Sequence, residues 1–183
     1  DPPRQAEALA RWFERDGFEA SVEDDKARAW IRRLAELSSR AVYHPERAAA
    51  AWTALLEHED ERPRALENIL GLLEREHRFE DLRSTLDREI ARLREVGESG
   101  RPLVSLQLRR ARLLEEALGD IDAADTTLRS LFEEQRDAGE AALRAEVFRA
   151  RERFLRRHGR FADLAPLLAV RAEQAPEAES RRL

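Results

Sequence analysis

Apolar residues return every three to four positions along most of the chain, and glycine or proline separates the stretches in which they do so. In 121–138, Ile121, Ala124, Leu128, Leu131 and Phe132 fall at i, i+3, i+7, i+10 and i+11. That spacing lines one side of a helix with 3.6 residues per turn. Leu66, Ile69, Leu70 and Leu73 do the same within 63–76. No stretch alternates apolar and polar residues and β-branched residues are few, so the pattern predicts no strand. Pro45, Pro63 and Pro102 each open a periodic stretch, where the missing N–H would have had no helical partner. Gly97, Gly139 and Gly159 follow such stretches, as helix stops do. Ser21 before Val22-Glu23-Asp24 reads as a weak N-cap with acid in the first turn. Nine helices are predicted, near 3–19, 22–42, 45–58, 63–76, 79–96, 102–118, 121–138, 140–157 and 161–175, with Pro166 in the first turn of the last.

Four corners between these helices resemble one another. They read Tyr43-His44-Pro45-Glu46, His77-Arg78-Phe79-Glu80, Gly119-Asp120-Ile121-Asp122 and Gly159-Arg160-Phe161-Ala162. Phe79 and Phe161 lie 82 residues apart, and Pro45 and Ile121 lie 76 apart. Half of either is about 40 residues, the size of a repeat built from two helices. The expected architecture is all-α, an α-solenoid of antiparallel helical hairpins in one domain over 1–183. Its units fall near 22–61, 62–100, 101–138 and 139–175, with a lone helix at 3–19. Residues 176–183 read as the start of another helix, and neither end reads as a polar cap, so a piece of a longer repeat protein is expected.

At the corners the chain resembles the tetratricopeptide repeat family. Gly159-Arg160-Phe161-Ala162-Asp163-Leu164 is similar to that family's glycine–aromatic corner between its first and second helices. Phe148 and Leu155 match large packing residues of the first helix, and Leu164 and Leu168 those of the second. His44-Pro45-Glu46-Arg47-Ala48 looks like the family's aspartate-proline-glutamate corner. The resemblance covers 22–175 and departs from the family in its period and in having Glu152 where a small residue is expected.

Composition narrows the function. Charged residues make up 39% and mean hydropathy is -0.67, and no run approaches the ~18 apolar residues of a membrane helix. With no cysteine there is neither a disulfide framework nor a thiol nucleophile. There is no methionine, which fits a fragment, and Lys26 is the only lysine among 33 basic residues, which suggests the codon usage of a GC-rich bacterial genome. A cytoplasmic location is expected from the lack of a signal or membrane segment in these residues.

Chemistry is sparse. No serine sits in a Gly-x-Ser-x-Gly turn and no glycine-rich phosphate loop occurs. Of the histidines, His44, His77 and His158 sit at corners, where a cation favours a helix C-terminus, and His58-Glu59-Asp60-Glu61 lacks the second histidine a metal site would want. The expectation is therefore no enzyme, no cofactor and no metal. Trp30 shares a helical side with Leu34 and Leu37, and Trp52 with Leu55 and Leu56, which reads as core; an exposed Trp12 or Trp30 would offer a contact platform.

Charge carries the functional lead. Residues 1–60 hold 9 basic and 13 acidic groups, 61–140 hold 14 and 19, and 141–183 hold 10 and 6. The net charge of -5 thus conceals a basic C-terminal end. Arg149, Arg153, Arg156, Arg157 and Arg160 are spaced for one side of one helix, with Glu146 and Glu152 in reach. The family resemblance implies that Glu146, Arg149, Arg153, Arg156 and Arg157 face a concave groove, and places Arg64 and Arg75 equivalently on helix 63–76. It implies a partner protein or peptide held there, and arginine's planar fork suits carboxylates, so an acidic partner fits. The competing reading is a solvated face closed by its own salt bridges. A structural linker role and self-association through open repeat ends are further alternatives. Net charge opposes nucleic acid, and the packed apolar side of helix 140–157 opposes membrane binding.

Overall fold

A computed structural model describes residues 1–17, 25–138 and 140–174. Among them there is no strand, and nine α-helices follow one another: α1 (Pro2–Trp12), α2 (Asp25–Glu36), α3 (Pro45–Leu55), α4 (Arg62–Arg75), α5 (Phe79–Glu95), α6 (Arg101–Glu116), α7 (Ile121–Ala138), α8 (Ala141–Arg157) and α9 (Phe161–Gln174). The wider π-helical turns Phe13–Gly17 and Leu37–Ala41 prolong α1 and α2. The predicted cap at Ser21, the stop at Gly139 and the segment 176–183 lie outside the described residues. The helices form two compact units, Asp1–Leu82 and Arg83–Leu183.

The corners explain why the helices stop. Gly97, Gly119 and Gly159 have φ of 76, 67 and 64°, a left-handed conformation that costs an L-residue about 1–2 kcal/mol. His77 takes the same conformation at φ 55°, in the slot glycine fills at the two later corners. At Gly159 the Arg160 N–H donates to the Leu155 carbonyl at 2.9 Å, and at His77 the Arg78 N–H donates to the Leu73 carbonyl at 2.9 Å. These bonds satisfy carbonyls that a helix end leaves open. The corner at Tyr43 differs. There α2 unwinds through its π turn, with Val42 N–H on the Leu37 carbonyl at 2.9 Å, and His44 is extended rather than left-handed.

In the first unit the fully buried Ile31, Leu34, Trp52, Leu55 and Leu70 form the core, and alanines 27, 35, 48, 51 and 65 let the helices approach. Trp52 also donates from Nε1 to the Ser39 hydroxyl at 3.1 Å. Trp30 departs from the expected core position: it is 49% exposed and stands edge-on to Trp12 at 5.2 Å. It stands on the flank of the side of α2 that buries Ala27, Ile31, Leu34 and Ala35. In the second unit Leu114, Leu128, Phe154, Leu155, Leu164 and Leu167 pack together, and Val104, Leu131, Leu143 and Val147 form a second cluster. Leu155 and Leu164 are thus buried, as the family resemblance implied. The last helix starts at Phe161 as expected, but Pro166 is its sixth residue and so sits in the second turn rather than the first.

Candidate functional site

Three pairings in the first unit rise together in number along α2 and α4. Arg32 pairs with Glu61, Arg64 with Glu36 at 2.7 Å, and Arg75 lies over the Tyr43 ring at 4.9 Å while Tyr43 donates to Glu76. The two helices therefore run parallel, as first helices of consecutive hairpins must. The second unit repeats the device between α6 and α8: Arg101 pairs with Glu146 at 3.4 Å, and Arg157 with Glu115 at 3.1 Å and Glu116 at 3.2 Å. Partners there stand 41 to 45 residues apart, one repeat length, so α6 and α8 are also parallel.

This stitching settles what several candidate residues touch. Arg64 and Arg75 each engage a neighbour within the first unit, and Glu146 and Arg157 tie α8 to α6. The carboxylates of Glu116 and Glu115 hold the Arg157 guanidinium protonated above the ordinary arginine range. Arg156 turns back on Glu152 of its own helix at 2.7 Å, and Glu152 also receives Arg171 of α9 at 3.3 Å. Glu152 stands where a small residue was expected because it serves these two arginines. Arg160 is not on the α8 face: the helix ends at Arg157, the chain turns at Gly159, and Arg160 reaches Asp122 at 2.7 Å and Asp125 at 2.9 Å on α7. His158 places Nε2 3.0 Å from Glu115, a more specific role than a charge at a helix end.

Arg149 and Arg153 remain. Both are exposed; Arg149 donates only to the Ala145 carbonyl at 3.1 Å, and Arg153 engages no group among the described residues. At 100° per residue Arg153 shares the side of α8 that carries Glu146 and Arg157. On α6 the same construction puts Arg112 between Arg101 and the Glu115–Glu116 pair. Arg112 is exposed and likewise engages no group among the described residues. Arg112 is not among the sequence candidates, because apolar spacing within 102–118 does not fix which side of that helix faces α8. The one-repeat offset between Arg101 and Glu146 is the signal that finds it. The result is a basic strip on α6 and α8, closed at each end by an ion pair and uncompensated between them.

No protein-family model matches the chain, and no curated protein matches its sequence. Solved structures do. The TPR-like repeats of a kinesin light chain-like protein from Podosopora anserina match at a TM-score of 0.63 and 20% identity, over 97% of this chain and 98% of that one. A single-substitution variant of the same protein matches at 0.63 and 19%, over 97% and 96%. The likeness is one of fold: the chain is built as TPR-like helical repeats.

Proposed function

We propose that the chain is a non-catalytic interaction module that holds an acidic peptide or protein segment along α6 and α8. The single observation behind this reading is the pair Arg149 and Arg153, which meet no carboxylate among the described residues, with Arg112 opposite, on a helix whose Arg156 and Arg157 have found carboxylates. Left unmatched, like charges one turn apart disfavour a helix by about 0.2–0.5 kcal/mol per pair. A partner's carboxylates would reverse that cost and gain charge-assisted hydrogen bonds. Helical repeats lend themselves to this, because their stacked first helices offer an extended surface. Among the described residues, no set suited to catalysis stands near the strip.

The test is binding of a fluorescein-labelled glutamate-rich peptide, followed by polarisation. Charge reversal in the double variant Arg149→Glu/Arg153→Glu should weaken binding at least tenfold and leave the melting temperature within about 2 °C, since exposed charges contribute little to stability. Unchanged affinity would remove the proposal. Loss of binding together with a large fall in melting temperature would instead assign these arginines to the internal ion-pair network, the reading that Glu146, Arg156 and Arg157 already favour for themselves.

A further inference from the structure

A cleft of about 310 Å³ opens between α5, α6 and α7, lined by Asp87, Ala91 and Arg94 of α5, Arg110 of α6, and Thr126 and Ser130 of α7 among others. Its volume lies at the lower end of the range for ligand sites. Arg110 stands about 160° around α6 from Arg112, so the cleft is on the side turned away from the basic strip. Arg94 pairs with Glu134 at 3.0 Å, and Arg110 pairs with Asp87. The charges are therefore matched, and a free ion would have to displace one of them.

What the pairs leave over is mixed. Asp87 Oδ1 accepts from Arg110 Nε, and Oδ2 has no partner among the described residues. Arg110 donates from Nη1 to the Thr127 hydroxyl and keeps Nη2 in hand. The Ser130 hydroxyl has no partner among the described residues, and Thr126 gives its proton to the Asp122 carbonyl at 2.8 Å, which leaves its oxygen able to accept. Asp87 is 45% exposed and Arg110 28%, and Thr126 and Ser130 are exposed, so these groups open to solvent in the cleft. One ion pair thus offers a spare acceptor and a spare donor side by side, held in place by each other. A hydroxyl both donates and accepts. Two hydroxyls on adjacent carbons can give a proton to Asp87 Oδ2 and accept one from Arg110 Nη2 without breaking the pair or adding charge. Ile90 and Ala91 supply an apolar patch beside them, which suits the C–H side of a sugar ring. An apolar lining with a few placed polar groups is the general build of a small-molecule site.

We infer that this cleft binds a neutral polyhydroxyl ligand the size of one sugar ring, with the Asp87–Arg110 pair gripping a vicinal diol and Ser130 and Thr126 taking the hydroxyls beyond it. The site stands independently of the basic strip and of any peptide held there. Its matched charges predict that binding is indifferent to salt.

The probes are the methyl pyranosides of glucose, galactose and mannose, and myo-inositol, each titrated into the full chain and followed by the Arg110 Nε–H resonance and the Ser130 backbone amide. At least one should shift both saturably, with Kd in the millimolar range. No saturable shift by any of the four up to its solubility would overturn the inference. Tetrahydropyran-2-methanol keeps the ring but has no diol, and should bind at least tenfold more weakly; equal binding would mean that the apolar patch alone is at work and would overturn it. Glycine, a zwitterion, should not displace the sugar; displacement would assign the cleft to charged ligands instead. Asp87→Leu and Ser130→Leu should each lose the response, with circular dichroism to check that the helices remain, and undiminished binding by either folded variant would sink the proposal. The double variant Arg149→Glu/Arg153→Glu should bind the sugar as the parent does; a loss there would assign the shifts to the basic strip and overturn it as well.

Discussion

Replacing Arg151 with methionine should make the protein more stable, although it removes a charged side chain from the middle of α8. Arg151 is 8% exposed, and its Nε and Nη1 are buried without a partner among the described residues. Burial pushes its pKa down from the ordinary arginine value, and Asp125 counters this only in part. The group nonetheless stays protonated near neutral pH, because arginine starts far above it. Two buried donors without acceptors cost about 1–3 kcal/mol each. Beyond the partial attraction of Asp125, Glu133 and Asp163, the compensation is the Phe132 ring, 5.3 Å from the guanidinium carbon, worth about 0.5–2 kcal/mol. Asp125 does not need Arg151, since Arg129 at 2.6 Å and Arg160 at 2.9 Å both serve it.

Methionine fills a similar shape, brings no donors and keeps a sulfur contact with Phe132 worth about 0.3–1.5 kcal/mol. Arg151→Met should therefore stabilise by about 1–3 kcal/mol, because it removes two buried donors that have no acceptor among the described residues while Arg129 and Arg160 still neutralise Asp125. Urea unfolding followed by circular dichroism measures it: the midpoint should rise with no change in slope. Arg151→Lys keeps a buried charge while losing the contact with Phe132, and should destabilise. A methionine variant less stable than the parent by about 1 kcal/mol or more would refute the reasoning, because it would mean that acceptors reach the guanidinium in solution.

Two backbone predictions follow from the corners and from α9. His77 holds a left-handed conformation that glycine adopts freely, so His77→Gly should be more stable than His77→Ala by about 1 kcal/mol in urea unfolding; equal stabilities would mean that the backbone relaxes there. Pro166 cannot donate to the carbonyl one turn earlier and stands exposed within α9, so Pro166→Ala should stabilise by about 1–3 kcal/mol by the same assay, and a loss of stability would show that the helix depends on a kink.

The helices were legible because their cause is local. Apolar spacing, proline at helix starts and glycine at three left-handed corners are decided within a few residues, and the repeat could be read from the corners alone. What escaped was whatever depends on a neighbour. Trp30 has the spacing of a core residue relative to Leu34 and Leu37, yet the buried side of α2 runs through Ala27, Ile31, Leu34 and Ala35 and leaves Trp30 on its flank, half exposed.

Charge shows the same division more sharply. Spacing along α8 groups Arg149, Arg153, Arg156 and Arg157, and wrongly added Arg160, which lies beyond the helix end, but it could not say which of them already had partners. That is decided one repeat away, where Glu115 and Glu116 take Arg157, and within the helix, where Glu152 takes Arg156. Lone arginines and paired arginines look identical in sequence; they differ in function because a paired guanidinium must give up a partner before it can bind another. Stitching by opposite charges at a repeat-length offset fixes the register of α6 against α8. Once the register is fixed, the arginines left over define the strip, and Arg112 joins it although its own helix gave no reason to choose it.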